Sequence, residues 1–140
     1  MKNYLKDKKI ITNIEKLDKQ HSILFKLIKK LKTILTIGEP DYAEMINVLA
    51  ELNAYTNFHF KTEEAFFEEH GYKNLDLHRA KHQSFIEQVE AFSLENALGT
   101  PGLGEEMLEF LENWLIIHIQ HLDVSACRQL NLTDKKDIGK

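Results

Sequence analysis

From Asp18 onward, apolar residues return at every third or fourth position, the spacing that gives a helix one buried stripe. The first stripe runs His21, Leu24, Ile28, Leu31 and Leu35, with Asp18 as its expected N-cap and Gly38 and Pro40 as its stop. A second starts at Asp41 and runs Met45, Leu49, Leu52, Tyr55, His59, Glu63 and Phe66 until Gly71 closes it. At 1.5 Å per residue its roughly thirty residues make a rod of ~45 Å. The third stripe carries His78, His82, Phe85, Val89 and Phe92. After the loop-like GTPGLG at 99–104, the fourth is expected from about Glu105 toward Leu130, burying Leu108, Leu111, Trp114 or Leu115, His118 and Leu122.

No stretch alternates at period two, and no long repeat is present. The expectation is an all-α chain, an antiparallel up-down-up-down four-helix bundle with an N-terminal arm. The arm covers 1–17, the bundle about 18–130 and a polar tail 131–140, all one domain. With neighbouring helices antiparallel, His21 early in the first, His59 and Glu63 late in the second, His78 and His82 early in the third, and His118 with Asp123 late in the fourth all arrive at the same end.

Composition narrows the chemistry. A chain 43% apolar and 29% charged is ordinary for a soluble globular protein, and no apolar run approaches the ~20 residues that span a bilayer, so no membrane partner is expected. The lysine-bearing N-terminus has no apolar region with a cleavage site behind it, which makes the cytoplasm the expected compartment. A net charge of −4 is a poor surface for releasing counterions from nucleic acid. The single cysteine, Cys127, excludes an internal disulfide and a multi-thiolate zinc site, and reads as a small buried hydrophobe. Seven histidines therefore point to nitrogen and oxygen ligation, suited to iron, copper, zinc or manganese.

His59 with Glu63, and His78 with His82, stand four apart, so each pair aims two donor atoms from one helix face. Five histidines (His21, His59, His78, His82 and His118) and two carboxylates (Glu63 and Asp123) make up the donor set. If both carboxylates bridge two octahedral ions and one solvent oxygen bridges them too, a single coordination position stays open for a small ligand. His118 and Asp123 fit least well. Five residues at about 100° each leave them ~140° apart on an ideal helix, and His121, three from His118, is geometrically the easier partner. Spacing leaves the two open. His70, beside Gly71, reads as a solvated or capping residue, and Glu64, Glu68 and Glu69 as a solvated face.

Together these residues resemble the hemerythrin family, in particular its bacterial single-domain members. The motifs are Asp-x-Gln-His ending at His21, His-Phe-x-x-Glu from His59, His-x-x-x-His from His78, and Trp-Leu-x-x-His-Ile-x-x-x-Asp from Trp114 to Asp123. The N-terminal arm lacks the tryptophan many such members carry, Tyr4 being the nearest aromatic, and Val124-Ser125-Ala126-Cys127 replaces a more polar run.

The resemblance implies a four-helix bundle around two non-haem iron ions with a bridging oxo or hydroxo group. His78, His82 and His118 would hold one iron, His21 and His59 the other, and Glu63 and Asp123 both. It further implies dioxygen at the iron with only two histidines, in an apolar pocket of Leu24, Phe60, Trp114 and Leu115, for oxygen transport, storage or sensing. No glutamate stands three before any histidine, unlike the paired Glu-x-x-His motifs of ferritin-like oxidases. A carrier is therefore expected rather than an enzyme. The alternatives are a di-iron enzyme acting on peroxide or nitric oxide, or an iron-binding interaction module.

Overall fold

A computed structural model of the protein describes residues 10–132; Tyr4 with the rest of 1–9, and 133–140 of the expected tail, lie outside the described residues. Helix α1 spans Glu15–Ile37, α2 Tyr42–Glu69, α3 Leu75–Ala97 and α4 Leu103–His118. A π-helical turn, Ile119–Asp123, follows α4 and leads into the short α5, Val124–Gln129. The described residues contain no strand. Helix α1 packs on α2 and α4, and α3 on the same two, so the short connections produce the expected up-down-up-down bundle.

Local chemistry accounts for most boundaries. Gly38 ends α1 at φ 149° and ψ −174°, a conformation open almost only to glycine. Asp41 caps α2 by accepting from the Glu44 N–H, and the Glu44 side chain returns the bond to Asp41 N–H, a capping box. At the far end Gly71 takes φ +71°, and Tyr72 N–H bonds back to the Phe67 carbonyl at 3.0 Å.

Three expectations are corrected. Helix α1 begins one turn before Asp18, after Ile14. Asp18 is not its cap; the carboxylate instead accepts from Thr12 N–H at 2.9 Å, Thr12 Oγ1 at 2.8 Å and Asn13 N–H at 3.1 Å. Those bonds gather the incoming arm, where Asn13 turns at φ 67°, onto the first turn of the helix. In α2 the stripe takes Phe67, fully buried, in place of the half-buried Phe66, because an α-helix drifts past a strict repeat. The fourth helix opens at Leu103 rather than Glu105 and is broken by the π turn, which buries Ile119 and leaves Leu122 only half-buried.

The apolar interior is divided. One cluster joins the four helices through residues such as Leu24, Ile28, Leu49, Phe85, Val89, Phe92, Met107 and Leu111. A second, smaller cluster gathers Ile14, Leu17, Phe67, Ala126 and Cys127, which is where the expected buried reading of Cys127 holds. The divided interior also contains His21, His59, Glu63, His78, His82, His118 and Asp123, each no more than 4% exposed. A polar set this deep is costly unless its groups satisfy one another or a bound ion.

Candidate metal centre

Glu63 and Asp123, both fully buried, are the centre of this set. The two oxygens of Glu63 face opposite ways. Its Oε1 lies 2.9 Å from His78 Nε2, 3.0 Å from His82 Nε2 and 3.6 Å from His118 Nε2. Its Oε2 lies 3.3 Å from His21 Nε2 and 3.2 Å from His59 Nε2. Asp123 divides in the same sense, Oδ1 lying 2.8 Å from His78 Nε2 and 3.2 Å from His118 Nε2, and Oδ2 3.1 Å from His21 Nε2. Two donor groups result, Glu63, His78, His82, His118 and Asp123 in one, and His21, His59, Glu63 and Asp123 in the other, with the ligand atoms of each within 4.8 Å of one another. All seven residues singled out in the sequence come together.

The π turn is what brings Asp123 in. A π-helix closes hydrogen bonds from residue i+5 to residue i, so its wider turn brings a residue five on back toward the face of the first. Val124 N–H, at the end of the turn, bonds to the Ile119 carbonyl in that pattern. The ~140° that an ideal α-helix would put between His118 and Asp123 is narrowed, and His121 is left exposed on the outside. The choice that spacing left open is thus decided by geometry for Asp123.

The residues present fit metal ions better than they fit each other. His82 Nδ1 donates to Glu64 Oε2 at 2.7 Å and His59 Nδ1 donates to Gln20 Oε1 at 2.7 Å, which aims both Nε2 atoms inward at the Glu63 carboxylate. His82 Nε2 and His118 Nε2 approach to 3.0 Å, and neither oxygen of Asp123 has a partner in hydrogen-bond geometry despite its close imidazoles. Convergent lone pairs of this kind are a coordination set.

The proton affinities of these groups follow from the same crowding. Burial opposes charge on His21, yet the close carboxylates of Asp123 and Glu63 raise it to about 9, and the same balance lifts His78 to about 10. His82 is raised as well, whereas burial prevails at His59 and lowers it. Burial also works to raise Glu63 and Asp123, but the surrounding imidazoles hold both below the usual carboxylate range. Without metal the cluster keeps its balance with protons, which an incoming ion must displace.

Several supporting residues had no signal in the helical pattern. Glu64, expected on a solvated face, is instead the partner of His82, and Arg79 approaches it at 3.4 Å. Gln20 and Glu64 each sit one position from a ligand on the flank of a buried stripe, a place from which a side chain reaches the next helix. Phe60 stacks on His82 at 3.9 Å and 7°, and Trp114 on His118 at 4.4 Å and 9°. His70 caps α2 as expected, its Nδ1 2.8 Å from the Phe66 carbonyl.

Next to the cluster lies an apolar cavity of about 10 Å³, lined among others by Leu24, Thr56, Phe60, Trp114 and Leu115. That is about the room one water-sized molecule needs. Leu24 stands one turn from His21, Phe60 is next to His59, and Leu115 is one turn before His118.

The family model described as the hemerythrin HHE cation binding domain matches residues 12–123. A bacteriohemerythrin of Clostridium acetobutylicum is 33% identical over 115 residues, 79% of this chain and 88% of that protein. A myohemerythrin of Theromyzon tessulatum is 30% identical over 109 residues, 78% of each chain. A solved structure described as wild-type hemerythrin superposes with a TM-score of 0.76 at 25% identity, covering 86% of this chain and 92% of that one.

Two outcomes are expected from this geometry. Asp123→Asn lowers the metal bound per chain, while His121→Ala leaves it unchanged, as read by elemental analysis after dialysis; equal losses would return His121 to the site. The metal-free protein loses stability as pH rises from 7 toward 10. The raised groups His21 and His78 contribute fully below the unfolded histidine value of ~6.5, and that contribution is lost through about 9 and about 10. Thermal melts of metal-free and iron-loaded protein across this range check it, and a flat profile for the metal-free form would contradict it.

Proposed function

The chain belongs to the hemerythrin family, and on that premise we propose that it binds dioxygen reversibly at a non-haem di-iron centre, for oxygen transport, storage or sensing. The observation that carries this reading is the division of two buried carboxylates between unequal donor groups, one with three histidines and one with two. His78, His82 and His118 would hold one iron, and His21 and His59 the other. Glu63 and Asp123 would hold both, and an oxo or hydroxo group would complete the centre. When bound, the pair supplies two electrons to a ligand at the iron with fewer histidines. The chain's own residues do the rest.

Those residues favour a small uncharged ligand. The cavity lining offers one hydroxyl, Thr56, and that group already donates to the Leu52 carbonyl at 2.9 Å. Leu24, Phe60, Trp114 and Leu115 exclude bulk water, which supports retention of dioxygen over its protonation and release. An acid or base poised to cleave an O–O bond is missing from the lining among the described residues. This weighs against the alternative of an enzyme acting on peroxide. Nitric oxide, also small and uncharged, would enter by the same route, so a di-iron enzyme acting on it is separated by turnover alone. No described helix is long and apolar enough to cross a membrane.

Iron-loaded, reduced protein is expected to develop a visible absorption band on adding oxygen and to lose it when oxygen is removed under argon, over several cycles. Oxidation that oxygen removal does not reverse, or sustained consumption of peroxide or nitric oxide, would favour the enzyme. Protein that binds iron but shows neither response would be an interaction module.

A further inference from the structure

Beyond the ligands themselves, the two donor groups differ in what stands behind them. Behind His82 is a carboxylate: Nδ1–H donates to Glu64 Oε2 at 2.7 Å. Glu64 is in turn met by Arg79 Nε at 3.4 Å, and Arg79 Nη2 donates to Glu68 Oε2 at 3.0 Å, a chain that runs from the buried imidazole to the surface. Behind His59 is a neutral amide, Gln20 Oε1, also at 2.7 Å. His21 Nδ1 and His78 Nδ1 are buried with no hydrogen-bond partner among the described residues. Among the described residues, the carboxylate of Glu64 therefore bears on the three-histidine group through His82, and a neutral acceptor of the same reach bears on the two-histidine group through His59.

A carboxylate that accepts the outer N–H of an imidazole makes the inner nitrogen a stronger donor, and removing such a partner typically lowers metal affinity by about 10- to 100-fold. The amide oxygen of Gln20 orients its ring without adding that charge. Orientation of His82 is in any case secured twice, because Phe60 lies flat against the ring at 3.9 Å and 7°. Charge is thus the property that Glu64 contributes and Phe60 does not.

We propose that Glu64, steadied by Arg79, is a positioning residue that makes the two metals unequal, tightening the three-histidine metal through His82 and favouring its higher oxidation state, while Gln20 leaves its neighbour less strongly held. This rests on the reading of the site as a two-iron centre. It places at the saturated iron the charge that favours oxidation, and keeps the ligand-binding iron electron-poor by comparison.

The test loads wild type, Glu64→Gln, Glu64→Ala, Gln20→Glu and Glu68→Gln anaerobically with ferrous iron, then measures iron retention against a chelator and the midpoint potential. In Glu64→Gln one of the two irons is expected to be about 10- to 100-fold easier to remove, and the potential to move positive, with circular dichroism of the metal-free fold unchanged. Glu64→Ala should behave alike, since Phe60 still holds the ring. Gln20→Glu should move the potential negative, and Glu68→Gln, which touches only the outer end of Arg79, should match wild type. Retention and potential in Glu64→Gln equal to wild type, or the same change in Glu68→Gln, would overturn the proposal. Wild type holding fewer than two irons would instead overturn the two-iron reading, and shows before any variant is compared.

Discussion

Two buried carboxylates, Glu63 and Asp123, impose the constraint on which the site depends. Each is fully removed from water, and their like charges face one another across the bundle interior. Such a pair survives only if positive charge stands close to all four oxygens. The bundle answers with imidazoles from every helix of the four: His21 from α1, His59 from α2, His78 and His82 from α3, and His118 from α4. Protons on those rings can meet the demand, but metal ions meet it for every lone pair at once, including the Asp123 oxygens that no hydrogen bond satisfies.

The rest of the fold follows from holding these groups in register. Apolar clusters supply the packing that fixes each helix about its axis. Stacking of Phe60 on His82 and Trp114 on His118 then sets ring planes, and Gln20 and Glu64 set which nitrogen points inward. The π turn has the most local role of all. One extra residue in the last turn of the fourth helix carries Asp123 onto the face of His118 and turns His121 out to solvent.

Much of this is legible in the amino-acid order, because period and spacing are properties of a helix seen one residue at a time. The third stripe, His78 to Phe92, is buried residue for residue as its period predicts. The pairs His59 with Glu63 and His78 with His82 likewise need only the geometry of an α-helix. What is hidden depends on departures from that geometry or on contacts between helices. Nothing in IQHLD announces a π turn, and on an ideal α-helix Asp123 falls away from the face of His118. Asp18 has the composition of a cap but turns its carboxylate toward the arm. Glu64 and Gln20 lie on flanks that a single-helix reading assigns to solvent, and only the approach of α3 to α2 and of α1 to α2 shows what they reach.

Shared ligation by Glu63 and Asp123 is what makes one centre of the two donor groups. The most direct measurement is a crystal structure of the iron-loaded protein with anomalous scattering recorded at the iron edge. Two iron peaks per chain are expected, at the roughly 3.5–4 Å separation usual for paired metals or a little closer, with one oxygen of Glu63 and one of Asp123 on each. A single iron, or two irons with no carboxylate in common, would contradict it.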